Sequence, residues 1–167
     1  MFEVGVIVVS DRAARGERKD ACLPVFQEHL DGSQYRIAGA VVVSDEPGDV
    51  QTALREMIGR KYALIFTAGG TGCGPRDNTP EVTSSLLQKR TPGIDEAIRS
   101  CSMAKNRNAA YSRGVSGIAG ETLVINLPGS PRAVREILDF LMPGLEHPLR
   151  LIAGETVDCA PAEKDHD

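Results

Sequence analysis

Residues 64–81 read LIFTAGGTGCGPRDNTPE, and the rest of the chain is organised around this stretch. An apolar run passes into a segment with three glycines in four positions, Gly69 to Gly72, and Thr79-Pro80-Glu81 follows. This order predicts a buried strand, a tight turn and the start of a helix near Thr79. Because glycine has no Cβ atom, the backbone amides of such a turn are open to an anion, most often a phosphate.

Asp77 stands out in this stretch, because a carboxylate beside a phosphate-binding turn repels its own ligand. A divalent cation between the two groups removes the conflict, and Mg²⁺ binds proteins through one or two carboxylates plus substrate phosphates. Asp77 is therefore a candidate metal ligand or a group that orients the attacking nucleophile. The alternative is that Asp77 only caps the helix or closes an Asx turn.

Composition and charge limit the class of protein. The chain has 167 residues, of which 41% are hydrophobic and 25% charged, as in ordinary globular proteins. We expect one α/β domain over residues 1–154 and an acidic, disordered tail over residues 155–167, which accounts for the net charge of −4. Trp is absent and aromatic residues make up 4%, so base stacking on nucleic acid is not expected. No apolar run reaches the roughly 20 residues of a membrane span, and we expect a cytoplasmic protein.

Strands and helices alternate along the chain. Runs rich in β-branched residues predict strands at residues 4–9, 35–43 and 62–66, with amphipathic helices between them. This order calls for a mostly parallel central sheet covered on both faces, which is a three-layer α/β/α fold. Residues 113–118 and 122–126 predict a hairpin or two neighbouring strands.

The pattern of strand, glycine turn and helix recurs at Asn126-Leu127-Pro128-Gly129-Ser130-Pro131. Ser130 is placed to cap a helix whose first residue is Pro131, so a second anion-binding turn is expected here. The apolar face of this helix continues to Pro143-Gly144, where we expect the helix to end or kink.

Acidic residues follow three of the predicted strands. Ligands of open α/β sheets bind beyond the carboxyl ends of the strands, so Asp11, Asp45 and Asp77 should meet at one edge of the sheet. Helix capping explains each acid separately, but the coincidence favours a shared site for Asp45 and Asp77. Two basic regions, residues 12–19 and residues 97–120, either attract an anionic ligand or form solvated surface.

In order and spacing, these motifs resemble the molybdopterin adenylyltransferase family, which includes the MogA and MoaB proteins and a domain of gephyrin. The segments that carry the resemblance are Ser10-Asp11-Arg12, Ser44-Asp45-Glu46, Gly69-Gly70-Thr71-Gly72, Arg76-Asp77-Asn78-Thr79-Pro80-Glu81, Ser112-Arg113 and the turn from Asn126 to Pro131. The resemblance implies the MogA-like three-layer fold and assembly as a homotrimer.

The resemblance also implies a role in molybdenum cofactor biosynthesis. The protein would transfer AMP from Mg²⁺-bound ATP to the terminal phosphate of molybdopterin, releasing pyrophosphate, before a partner inserts molybdenum. Asp45 and Asp77 would be the catalytic residues and the metal ligands. The substrate-binding residues would be Ser10, Asp11, Gly69, Gly70, Thr71, Gly72, Arg76, Ser112, Asn126, Pro128, Gly129 and Ser130. The alternative is a MoaB-like protein or scaffold that binds molybdopterin without turnover.

Overall fold

The computed structural model of the protein describes residues 1–30 and 34–156, and nearly all of the predicted acidic tail lies outside them. The strands are β1 (Phe2–Val9), β2 (Tyr35–Val43), β3 (Leu64–Ala68), β4 (Lys89–Arg90), β5 (Ser116–Ala119) and β6 (Thr122–Leu127). The helices are α1 (Asp11–Ala14), α2 (Leu23–Leu30), α3 (Pro47–Gly59), α4 (Thr79–Ser84), α5 (Pro92–Met103) and α6 (Pro131–Ile152), and a 3-10 turn spans Arg107–Tyr111.

The strands form one sheet in the order β2-β1-β3-β6-β5-β4. The first four of these are mutually parallel, whereas β5 and β4 run antiparallel to their neighbours. The predicted mostly parallel α/β fold is thus confirmed, and the segment predicted as a hairpin or strand pair is the antiparallel pair β5–β6. The two-residue strand β4 was not predicted, because it is too short to show a periodic pattern.

Both faces of β1 are buried, which explains its continuous apolar sequence. Val4, Val6 and Val8 face the core formed with α2, α5 and α6. Ile7 and Val9 face the opposite core, formed with α3 and α4. The sheet therefore lies between two helical layers, and among the described helices none is both long and apolar enough to cross a bilayer.

Helix α6 is longer than the sequence indicated. An end or a kink was expected at Pro143-Gly144, and the end is wrong, because the helix has 22 residues and runs from Pro131 through Pro143 and Pro148 to Ile152. Leu145 and Leu149 are 3% and 2% exposed, so the apolar face stays packed beyond the first proline. Burial of this face stabilises the helix against the local preference of proline to end it.

Asn126 ties β6 to its neighbours from inside the core. Its side chain, 2% exposed, donates through Nδ2 to the hydroxyl groups of Thr67 and Thr83, both at 2.9 Å. Its Oδ1 accepts from the amide of Val115 at 3.3 Å. Each polar atom of this amide therefore has a protein partner, and one side chain connects β6 to β3, to α4 and to the segment before β5.

Replacing Asn126 by Leu should lower the free energy of unfolding by about 2–4 kcal/mol, because it leaves two buried hydroxyls and one amide without partners. Urea denaturation monitored by circular dichroism measures the change. The triple variant Asn126→Leu, Thr67→Val, Thr83→Val should recover part of the loss, since it also removes the two stranded hydroxyls. A change below 0.5 kcal/mol in the single variant would show that these bonds do not support the fold.

Candidate functional site

A cavity of about 700 Å³ opens beyond the carboxyl ends of β1, β2, β3 and β6. Its wall includes a residue from the segment after each of these strands: Ser10, Asp45, Gly69 and Gly129. The four strands are neighbours and parallel, so their ends meet at one edge of the sheet. This is where open α/β sheets bind their ligands.

Most of the predicted site residues line this cavity, and the exceptions are Asp11, Arg76 and Asn126. The lining ones are Ser10, Asp45, Gly69, Gly70, Thr71, Gly72, Asp77, Ser112, Pro128, Gly129 and Ser130. Asp11 and Arg76 are not on its wall but contact each other, and Asp11 contacts Asp45. Asn126 lies in the core, with its amide bound to protein groups. The structure thus places Asn126 in a structural role and not in the expected substrate contact.

The turns at Gly69 and Gly129 pack closely against each other, and the turn at Gly69 also packs against the end of β1. Gly69 and Gly70 have φ angles of +117° and +63°, which side chains other than glycine rarely adopt. A Cβ atom on Gly69 would lie 2.1 Å from the carbonyl oxygen of Val9, and one on Gly129 would lie 3.2 Å from Cα of Gly69. Glycine is therefore required at position 69 both for its conformation and for space.

The first turn presents unpaired backbone amides. Within residues 1–30 and 34–156, the N–H groups of residues 70–73 make no hydrogen bond. Gly70, Thr71 and Gly72 also line the cavity. Four consecutive free donors in a turn without bulky side chains are a binding site for an anion such as a phosphate.

Arg113 fixes the direction of this turn, and its role was not identified from the sequence. Its guanidinium donates to the carbonyl oxygen of Gly72 at 2.7 Å and to that of Asp77, and its backbone amide donates to Thr71 at 2.9 Å. In a trans peptide the N–H points opposite to the C=O of the preceding residue. Because the carbonyl groups of Thr71 and Gly72 point toward Arg113, the amides of Gly72 and Cys73 point away from it. Its position next to Ser112 in the family motif was the only signal in the sequence.

Asp45 and Asp77 each keep one carboxylate oxygen without a hydrogen bond in the described part of the chain. Asp45 Oδ2 accepts from the amide of Asp11 at 2.8 Å, and Asp77 Oδ2 accepts from the amide of Gly74 at 2.8 Å. A Cβ on Gly72 would lie 2.8 Å from Asp77 Oδ2, so the glycines also make room for this carboxylate. The contact of Asp77 is with an amide three residues before it, which is neither a helix cap nor an Asx turn, and its second oxygen stays available.

These two acids fit Mg²⁺ only together with a ligand. No group of three or more His, Cys, Asp or Glu side chains is placed to hold a metal among the residues that the structure describes. Two carboxylate oxygens leave an octahedral ion to be completed by water and phosphate, which is how Mg²⁺ usually binds with nucleotides. Asp45 and Asp77, both on the cavity wall, are therefore candidate ligands for a cation that arrives with a phosphorylated ligand.

Both basic regions of the sequence reach the cavity. The cationic residues on its wall are Arg18, Lys19, Arg99, Lys105 and Arg132. Lys105 and Arg132 are paired with Glu136, at 3.6 and 3.0 Å. The wall also carries four acids, Asp20, Asp45, Asp77 and Glu136, so its charge is mixed, and the cations without an acidic partner are the groups available to an anionic ligand.

The thiol of Cys22 supports the second turn. Burial raises the pKa of Cys22 to about 11, so the thiol stays protonated at neutral pH. Its Sγ donates to the carbonyl oxygen of Gly129 at 3.6 Å. Ser130 caps α6, as expected, by accepting from the amide of Ala133 at 3.4 Å.

Together these features define an α/β protein with a ligand-sized cavity at the strand ends and a glycine turn whose free amides face no protein partner among the described residues. Residues 5–147 match the family described as the probable molybdopterin binding domain, and the chain belongs to that family. The family resemblance predicted from the motifs is thereby confirmed.

Individual relatives agree with this assignment. A molybdenum cofactor biosynthesis bifunctional protein of Synechococcus elongatus is 40% identical over 149 residues, covering 89% of this chain and 47% of that protein. A molybdopterin adenylyltransferase of Helicobacter pylori is 36% identical over 158 residues, covering 92% of this chain and 89% of the relative. The crystal structure of the molybdopterin biosynthesis enzyme MoaB from Thermus thermophilus has a TM-score of 0.87 and 43% identity, covering 95% of this chain and 100% of that one.

The relatives differ in length. The chain spans between 23% and 48% of four of the curated proteins that it matches, which carry further sequence outside the shared region. The cavity wall runs from Val8 to Glu136 and so lies within residues 5–147, which match the family.

Gly69→Ala should lower the free energy of unfolding by about 3–5 kcal/mol, because a side chain is strained at this φ and collides with backbone. Gly144 is the matched control: it lies in the exposed part of α6 with nothing within 4 Å of an added Cβ. Gly144→Ala should raise the free energy of unfolding by about 0.5–1 kcal/mol. Equal effects of the two substitutions in urea denaturation would contradict the packing described for the turn.

Proposed function

We propose that the protein adenylylates molybdopterin. An oxygen of the terminal phosphate of molybdopterin attacks the α-phosphorus of ATP, the bond from that phosphorus to the β-phosphate oxygen breaks, and pyrophosphate leaves. The observation that carries the proposal is that Gly70, Thr71 and Gly72, whose amides are free, line the same cavity as Asp45 and Asp77, each of which has a free carboxylate oxygen.

The residues around the cavity supply what this phosphoryl transfer needs. The amides of residues 70–73 hold phosphate oxygens in place, and the turn at Gly129 and Ser130 offers a second position for an anion. The attacking phosphate is already anionic, so the reaction needs positioning and charge neutralisation, and no general base. Asp45 and Asp77 would hold Mg²⁺, which when bound neutralises the charge on the phosphates.

Size and charge support two polyanionic substrates. A volume of about 700 Å³ lies within the range of ligand cavities. Arg18 and Lys19 on its wall make no ion pair within the described residues, so they are available to a substrate phosphate. The similarity to the molybdopterin adenylyltransferase of Helicobacter pylori, whose alignment covers 92% of this chain, also supports the proposed reaction.

Two further parts of the family resemblance extend to this protein as proposals. One is a homotrimer, which sedimentation equilibrium would detect as the mass of three chains. The other is a partner that receives adenylylated molybdopterin and inserts molybdenum. Both follow from the family and not from a contact of the described residues.

Asp77→Asn should lower the rate of adenylylation about 10²–10³-fold while leaving the affinity for molybdopterin within about twofold, because the carboxylate acts mainly in the transition state. The assay incubates the protein with molybdopterin, ATP and Mg²⁺ and quantifies adenylylated molybdopterin by mass spectrometry and pyrophosphate enzymatically. Asp139, an exposed acid paired with His29 outside the cavity, gives the control Asp139→Asn, which should retain the full rate.

Three results would contradict the proposal in different ways. A wild-type protein that binds molybdopterin but forms no product is a binding protein, as the alternative interpretation holds. A wild-type protein that does not bind molybdopterin has neither function. An Asp77→Asn variant with the wild-type rate shows that the reaction occurs but that this carboxylate does not contribute to it.

A further inference from the structure

The guanidinium of Arg76 contacts two carboxylates that lie on neighbouring loops. Its Nε and Nη2 donate to Oδ2 and Oδ1 of Asp11 at 2.8 and 3.0 Å, and its Nη1 lies 2.9 Å from Oε1 of Glu46. Asp11 follows β1, Glu46 follows β2 and Arg76 follows β3. One side chain therefore joins the loops at the ends of three adjacent strands.

Asp11 is in turn hydrogen-bonded to Asp45. The backbone amide of Asp11 donates to Oδ2 of Asp45 at 2.8 Å, and the amide of Asp45 donates back to Oδ1 of Asp11 at 3.0 Å. This reciprocal pair fixes one oxygen of the Asp45 carboxylate and leaves Oδ1 as the free one. The contacts form a continuous series from Arg76 through Asp11 to Asp45.

Electrostatics give Arg76 a second effect. Asp11, Asp45 and Glu46 bring three negative charges to neighbouring loops at the ends of β1 and β2, and like charges at this range repel. The positive charge of Arg76 offsets part of this surplus, because its guanidinium contacts the carboxylates of both Asp11 and Glu46.

We propose that Arg76 and Asp11 are positioning residues, which orient Asp45 toward a metal-bound phosphate, and that neither contacts the substrates. This replaces the expectation from sequence that both bind substrate. Neither residue lines the cavity, and Arg76 would have to release Asp11 or Glu46 to reach a ligand. The inference rests on the proposed function, because it needs a metal–nucleotide complex at Asp45.

The test separates metal-dependent from metal-independent binding. Isothermal titration calorimetry measures the affinity for α,β-methylene-ATP, an unreactive ATP analogue, with and without Mn²⁺. In the wild-type protein Mn²⁺ should increase the affinity. In Arg76→Ala this gain should fall about tenfold or more, as for other residues that orient metal ligands, while the metal-free affinity stays within about twofold.

Arg76→Lys sharpens the test, because it keeps the charge but cannot form the two-bond contact with Asp11. If orientation matters, this variant should lose most of the Mn²⁺-dependent gain as well, and it provides the measurement should Arg76→Ala fold poorly. The matched control is Arg135→Ala: Arg135 makes an equivalent two-bond contact with Glu28, at 2.7 and 2.6 Å, outside the cavity. This control should keep the wild-type gain.

Coupling between the two residues provides a further check. Asp11→Asn should reduce the Mn²⁺-dependent gain by a similar factor, and the double variant Asp11→Asn/Arg76→Ala should be no weaker than the poorer single variant. Additive losses would show that the two residues act separately, which would overturn the proposed series of contacts.

The remaining outcomes distinguish failure of this inference from failure of the proposed function. A loss of metal-free affinity in Arg76→Ala, with the Mn²⁺-dependent gain intact, would make Arg76 a direct substrate ligand and overturn the inference alone. If Mn²⁺ increases the affinity of both Arg76 variants as much as that of the wild-type protein, the inference is also overturned while the proposed function stands. A wild-type protein in which Mn²⁺ gives no gain would contradict both.

Discussion

The close approach of three backbone segments at the end of the sheet is the constraint on which the site depends. The carbonyl of Val9, the turn at Gly69 and the turn at Gly129 lie so near one another that a single added methyl group has no space between the first two. The ladder between β3 and β6 continues into this region, where the amide of Gly69 donates to Leu127 at 3.0 Å. Parallel pairing therefore brings the two glycine turns together, and buried apolar residues on both faces of the sheet keep them there.

Two arginines then orient the functional groups of the site: Arg113 orients backbone amide donors, and Arg76 orients carboxylate acceptors. Arg113 binds carbonyl oxygens of the glycine turn, so that the following amides point away from it and remain free. Arg76 binds carboxylates, and through Asp11 it holds Asp45. The fixed donors and acceptors would then need little rearrangement when phosphates and a cation bind, which is the usual source of rate enhancement in phosphoryl transfer.

Much of this arrangement could be predicted from local sequence. The β-branched runs, the glycine turns and the Ser130 cap are short-range signals, and the convergence of Asp45 and Asp77 on one cavity follows from the strand order. The parts that the sequence did not reveal depend on contacts between distant residues. The family resemblance implied that Arg76 binds substrate, and nothing local in the sequence shows that its guanidinium contacts Asp11, 65 positions earlier.

Two other differences have the same origin. Asn126 stands next to a glycine turn in the sequence, yet its side chain points into the core toward Thr67 and Thr83. Helix α6 continues past Pro143 because its later leucines are buried, a property that proline content alone does not show.

The decisive measurement is a crystal structure of the protein with α,β-methylene-ATP, Mg²⁺ and molybdopterin. We expect nucleotide phosphates on the amides of residues 70–73, a cation in contact with Asp45 and Asp77, and the molybdopterin phosphate within the same cavity. Ligands bound elsewhere on the protein, or a cation that touches neither aspartate, would contradict this expectation.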